Sequence, residues 1–221
     1  MLKKLSVLVV LAIIFAIVFG ACGEAGGDPG IPNNPGDEGP GNGEPVWELG
    51  EKGPSGGLIF YVHDEPEGFY VEGYGVEGQP GFFEGYYARY MEYAPDDVLQ
   101  DTVWEIGVPG SFTDISGTEE GLGLGRKNTA IIIASHAAIM PAAVASAVTI
   151  EGISGWFLPS KDELALLTGS MWGYPDVNMS GDYWSSTQYD SEEAYFAIMA
   201  KGANNASKDE LKNVRPIRAF W

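Results

Sequence analysis

Residues 23–45 cannot build a core: 13 of these 23 residues are Gly or Pro, five are acidic, none is basic, and Ile31 is the one large aliphatic side chain. A segment so poor in apolar surface cannot offset the conformational entropy of ordering it. It acts as a spacer, and flexible-chain statistics give it a reach of about 25–30 Å. Apolar and aromatic density rises abruptly at Val46-Trp47, which places the globular part at residues 46–221. With 45% hydrophobic and 12% aromatic residues in 221, one domain of ordinary size has enough material for a core.

What precedes the spacer reads as an export signal. Lys3 and Lys4 are followed by 13 uninterrupted apolar residues at 7–19, then by Gly20 and Ala21 before Cys22. A membrane-spanning helix needs about 20 apolar residues to cross roughly 30 Å of hydrocarbon, and even residues 5–21 fall slightly short, which favours a cleaved signal and leaves an uncleaved anchor as the alternative. Phe19-Gly20-Ala21-Cys22 resembles the lipobox of bacterial lipoproteins, with Phe19 where Leu is usual. The resemblance implies that residues 1–21 are a signal peptide and that the thiol of Cys22 takes a diacylglyceryl group and becomes the new N-terminus. It also implies an acylated (palmitate-type) anchor followed by the tether at 22–45. Each buried CH₂ adds about 0.8 kcal/mol of membrane affinity, so two chains hold firmly. The expected location is the cell envelope, facing the periplasm or the cell surface.

Twelve basic and 31 acidic residues give a net charge of −19. Loss of Lys3 and Lys4 leaves ten bases against 31 acids, or −21. Phosphate backbones and anionic lipid surfaces need clustered cations to displace counterions, so nucleic acid is excluded as a partner. Cys22 is the single cysteine, which rules out an intramolecular disulfide framework and a Cys-rich metal site.

Within the domain, Gly53-Pro54-Ser55-Gly56-Gly57 is a turn cluster and residues 58–62 form a β-rich apolar run. Residues 68–71 and 86–93 alternate as further strands. Residues 126–150 change to Ala, Ile, Ser and Val, interrupted at Pro141, which predicts two packed helices at 127–139 and 142–148. A short strand at 156–158 ends at Pro159. Ser160 and Glu163 then have capping-box spacing, predicting a helix to about Met171. Residues 183–186, 194–200 and 214–220 read as three closing strands. Helices and strands are segregated, which is an α+β arrangement.

Several of these segments, namely Gly155-Trp156-Phe157-Leu158-Pro159-Ser160-Lys161-Asp162-Glu163-Leu164, Tyr183-Trp184-Ser185-Ser186-Thr187 and Val214-Arg215-Pro216-Ile217-Arg218-Ala219-Phe220, resemble the Lcl C-terminal domain family (domain of unknown function 1566). Gly53 to Tyr61, Tyr93-Ala94-Pro95-Asp96-Asp97 and Gly125-Arg126-Lys127-Asn128-Thr129 are similar to exported members of the same family. The resemblance implies a single C-type-lectin-like domain, related in shape to formylglycine-generating enzymes, with short twisted antiparallel strands and two to three helices. It also implies a binding module of bacterial surface proteins. The name-giving member is associated with sulfated glycosaminoglycans and adhesion, a ligand class that a net charge of −21 disfavours here.

Trp156 and Trp184 could stack on sugar rings, but their place inside strand motifs favours core packing. Arg215 and Arg218 could hold a ligand carboxylate, but internal pairing with acids such as Glu163 or Asp162 is favoured. Ser185, Ser186 and Thr187 need an adjacent base to act as nucleophiles, and His63 and His136 lack a triad context, so an enzyme is not expected. Asp176, Asn178, Asp182, Asp190, Glu192 and Glu193 are hard ligands that could suit calcium, but without a recognisable loop spacing they read as solvated acids, so no cofactor or metal site is assigned. The loops at 188–193 and 202–208 are the expected binding surface, with Gln188, Tyr189, Asp190, Asn204, Asn205 and Lys208 as ligand-binding candidates. The function expected is a non-catalytic, surface-exposed lipoprotein binding module that recognises a glycan or a host or envelope protein. The alternative is a structural envelope protein without a discrete ligand site.

Overall fold

The structure, a computed structural model, describes residues 45–79, 81–135 and 140–221. The expected signal peptide, Cys22, nearly all of the tether, and His136 lie outside the described residues. The chain forms β1 (Leu58–Val62), β2 (Phe69–Val71), β3 (Tyr86–Ala88), β4 (Tyr90–Tyr93) and β5 (Leu99–Thr102). Three helices follow: α1 (Gly125–Ser135), α2 (Met140–Ala147) and α3 (Lys161–Ser170). The last strands are β6 (Asp182–Gln188), β7 (Glu193–Ile198), β8 (Gly202–Ser207), β9 (Lys212–Val214) and β10 (Ile217–Phe220). The class is α+β. No helix among the described residues is long and apolar enough to cross a membrane.

Among the described residues three sheets carry the fold, with strand orders β1-β4-β10, β2-β3 and β5-β9-β6-β7-β8. Strand β4 is central in the first and buries all four of its residues, because both edges are paired and both faces covered. The turn before β1 brings the backbone of Gly57 so close to β4 that a Cβ there would collide with the Tyr93 carbonyl. In the large sheet every pairing is antiparallel except β6 with β9. Helix α3 packs against β1, β6, β7 and β8, while α1 packs against β6 and α2. One apolar cluster gathers Phe60, Phe69, Met91, Phe157, Leu167 and Ile217. A second gathers Trp104, Ile132, Leu158, Trp184, Phe196 and Val214 on the large sheet.

The capping box forms as its spacing predicts. Ser160 Oγ accepts from Glu163 N at 3.2 Å, and Glu163 Oε2 accepts from Ser160 N at 2.8 Å. The interruption at Pro141 falls in the first turn of α2, where its missing N–H has no helical partner to lose.

Three expectations change. Residues 156–158 make no strand: Phe157 exchanges a single pair of backbone hydrogen bonds with Ile217, both 2.9 Å, between the turn at Gly155 (φ +82°) and Pro159. The expected strand at 214–220 is two strands in different sheets, β9 and β10, because Pro216 offers no N–H and Arg215 turns into the interior between them. Residues 202–207 are not a loop but β8, which completes the hydrogen bonding of β7 over six pairs from Glu193↔Ser207 to Ile198↔Gly202. A tight turn with Ala200 at φ +62° and Gly202 at φ +78° makes that hairpin.

Candidate functional site

A cavity of about 640 Å³ opens between the 72–85 connection, α1 and residues 154–157. Tyr74, Phe83, Ala130, Ile133, Trp156 and Phe157 supply its apolar walls, and among the described residues Arg126 is the one charged side chain in its lining. Tyr74 and Phe83 face each other across a bridge of two backbone hydrogen bonds of 3.0 and 3.1 Å, which holds the otherwise Gly-rich connection in place. Arg126 stands in the first turn of α1 with its guanidinium 4.4 Å from the Phe83 ring centre and 5.4 Å from that of Tyr86. Its neighbour Lys127 turns elsewhere and pairs with Glu72 at 2.7 Å and Glu119 at 2.9 Å. Trp156 is only 2% exposed and donates its Nε1 to Ile153 O at 3.0 Å, so it is a wall rather than an open stacking platform.

The motifs that carry the family resemblance meet at two buried polar centres. At the first, Glu163 is fully buried, with Oε1 accepting from Gly123 N at 2.8 Å and Oε2 from Ser160 N. Burial pushes the carboxyl up to about 7 against the pull of these N–H donors. Beside it, Asn128 and Thr187 both bond the backbone of Glu119. At the second centre, Arg215 is 2% exposed and bonds Asp97, Ala94 O, Pro95 O and Asn178. Arg218 lies 3.5 Å from the buried Glu92. Both arginines thus pair internally, but with Asp97 and Glu92 rather than with Glu163 or Asp162.

The hydroxyls of the Tyr-Trp-Ser-Ser-Thr segment are spent on the scaffold. Ser185 Oγ donates to Tyr195 O at 2.9 Å, Ser186 Oγ to Pro159 O at 3.0 Å, and Thr187 Oγ1 to Glu119 O at 2.9 Å. Trp184 is buried, with Nε1 on Thr102 O. His63 Nδ1 is hydrogen-bonded to the Tyr61 hydroxyl at 2.8 Å, at the end of β1.

The loop candidates fall into two groups. Lys208 is fully buried, donating to Thr113 O (2.6 Å), Gln188 Oε1 (2.9 Å) and Ser191 O (2.9 Å), with Glu105 3.7 Å away. Gln188 completes the same network through Ile115 N and Asp114. Lys208 braces the β6–β7 hairpin from inside with no exposed surface, while Gln188 beside it is half-buried. Tyr189 remains 53% exposed against Tyr195, and Asn204 is exposed in mid-β8. Asp190 caps the backbone N–H groups of Glu192 and Glu193, while the Asn205 amide bonds Glu193.

Of the hard-ligand residues that read as solvated rather than calcium-binding, Asn178 bonds Arg215, Asp182 lies near Lys212, and Glu192 accepts from Gly110 N. Among the described residues no group of three or more His, Cys, Asp or Glu is placed to hold a metal ion. The cavity is not legible in the sequence because its aromatic wall comes from both sides of Arg126: Tyr74 and Phe83, 52 and 43 residues before it in a stretch whose glycines signal loop, and Trp156 and Phe157, 30 and 31 residues after it. The only cue was two aromatics, Tyr74 and Phe83, spaced across that stretch. No protein-family model matches the chain, and no curated protein is found to be similar to it.

Proposed function

We propose that this protein is a lipid-tethered, non-catalytic recognition domain of the bacterial cell envelope, anchored through Cys22 and spaced from the membrane by residues 23–45. In this reading the globular part is a C-type-lectin-like variant of the Lcl C-terminal family, and its binding site is the cavity beside α1. The observation that carries it is the aromatic-walled cavity of about 640 Å³ with one guanidinium in its lining, within the size range of small-ligand sites. The use of the Ser, Thr and Lys side chains elsewhere as internal hydrogen-bond partners supports binding over catalysis.

Two measurements test it. Intact mass and membrane fractionation, with and without Cys22→Ser, should show loss of residues 1–21 and acyl mass on the thiol in the parent only; an uncleaved, unmodified chain overturns the anchor. A glycan and small-molecule screen on the processed lipoprotein should return ligands whose binding disappears in Ile133→Trp, which fills the cavity. Self-association with concentration and no ligand from the screen would instead establish the structural envelope protein.

A further inference from the structure

Resting on the cavity as the binding site, we propose that its ligand is a monocarboxylate with an apolar or aromatic body, the carboxylate held by Arg126. Beyond the signal peptide the chain has ten bases for 31 acids, so carboxylates are abundant around every cation. Lys127, Lys161, Lys208, Lys212, Arg215 and Arg218 each lie within 4.0 Å of one. Lys52 and Lys201 are exposed to solvent, and Arg89 stands over the Tyr90 ring. Arg126 lines the cavity of about 640 Å³ without an ion pair to any carboxylate among the described residues, whereas exposed Lys52 borders only a smaller pocket of about 170 Å³.

Its guanidinium is also held in advance. It rests on the Phe83 face and beside the Tyr86 ring. Stacking holds the fork in place and leaves its N–H donors for a planar, bidentate acceptor. Apolar walls around it lower the local dielectric and strengthen such a pair.

The rest of the cavity sets the body of the ligand. Its volume suits a small molecule or one terminal residue of a larger one. The walls of Tyr74, Ile133, Trp156 and Phe157 reward apolar surface. A single cation inside a chain of net charge near −21 matches one negative charge and rejects a phosphate dianion or a polyanion, which need several donors of positive charge.

The test titrates the processed lipoprotein, in nanodiscs of zwitterionic lipid, with 4-phenylbutyrate, its neutral amide 4-phenylbutyramide, and N-acetylneuraminate, a carboxylate with a polar body. Binding is read by ligand-observed saturation transfer and calorimetry. The proposal expects 4-phenylbutyrate to bind at least tenfold more tightly than its amide. Arg126→Met should bring the acid down to the amide's affinity without changing the amide, Arg126→Lys should restore part of the difference, and Ile133→Trp should abolish both. Equal affinity of acid and amide in the parent, lost together in Ile133→Trp, overturns the carboxylate assignment while leaving the cavity as the site. Preference for N-acetylneuraminate overturns the apolar body. No binding of any of the three at millimolar concentration, or binding unaffected by Ile133→Trp, overturns both the assignment and the cavity. The acid–amide comparison uses the parent protein alone, so misfolding of a variant cannot decide the result.

Discussion

Arg215→Met should be among the most damaging single substitutions in this domain. The guanidinium is 2% exposed, with Nε 2.6 Å from Asp97 Oδ1 and Nη1 2.9, 2.8 and 2.9 Å from Ala94 O, Pro95 O and Asn178 Oδ1. Methionine can replace the aliphatic stem but none of these donors. The Asp97 carboxylate, itself 8% exposed, is left as a buried charge without its partner. Removing one member of such a pair costs about 3–5 kcal/mol. For a domain of this size that lowers Tm by roughly 6–20 °C. Urea unfolding followed by tryptophan fluorescence measures it directly, with a lower midpoint and an unchanged slope. Arg215→Lys keeps the charge but cannot span four acceptors, and should lose about half as much. Adding Asp97→Asn to Arg215→Met should cost less than the sum of the single changes, because the stranded charge disappears. The reasoning is refuted if Arg215→Met costs under about 1 kcal/mol, or if Arg215→Lys matches the parent, which would make charge alone sufficient.

Because burial lifts the Glu163 carboxyl from 4.5 to about 7, the folded state holds that proton more tightly than the unfolded one, so its contribution is fully present below pH 4.5 and lost as pH rises through about 7. Thermal melts should therefore show stability falling across this window by on the order of 3 kcal/mol, with a flatter dependence in Glu163→Gln; an identical slope in the two would remove Glu163 as the cause. Lys208→Met strands Glu105 and the carbonyls of Thr113 and Ser191, and should cost about 3–5 kcal/mol in the same urea assay. A variant as stable as the parent, with altered ligand binding, would return Lys208 to the ligand surface.

Sequence alone determined what depends on neighbours in the chain. The apolar run at 58–62, the Ser160–Glu163 cap and the Ala- and Ile-rich helices were legible because their signals lie within a few residues of one another. The same holds for the inability of residues 23–45 to build a core, which is a matter of composition. Tertiary structure decided the rest. Gly202-Ala203-Asn204-Asn205-Ala206-Ser207 has little strand propensity and becomes β8 only because β7 offers it an unpaired edge. Lys208 looked like a surface donor until the 105–115 segment folded over it. Arg215 finds Asp97 across 118 residues, and Arg126 meets the ring of Phe83 only when the 72–85 connection closes over α1. Hydrogen-bond acceptors, aromatic faces and low dielectric are properties of a place in space, and no local pattern of residue types specifies which distant segment will supply them.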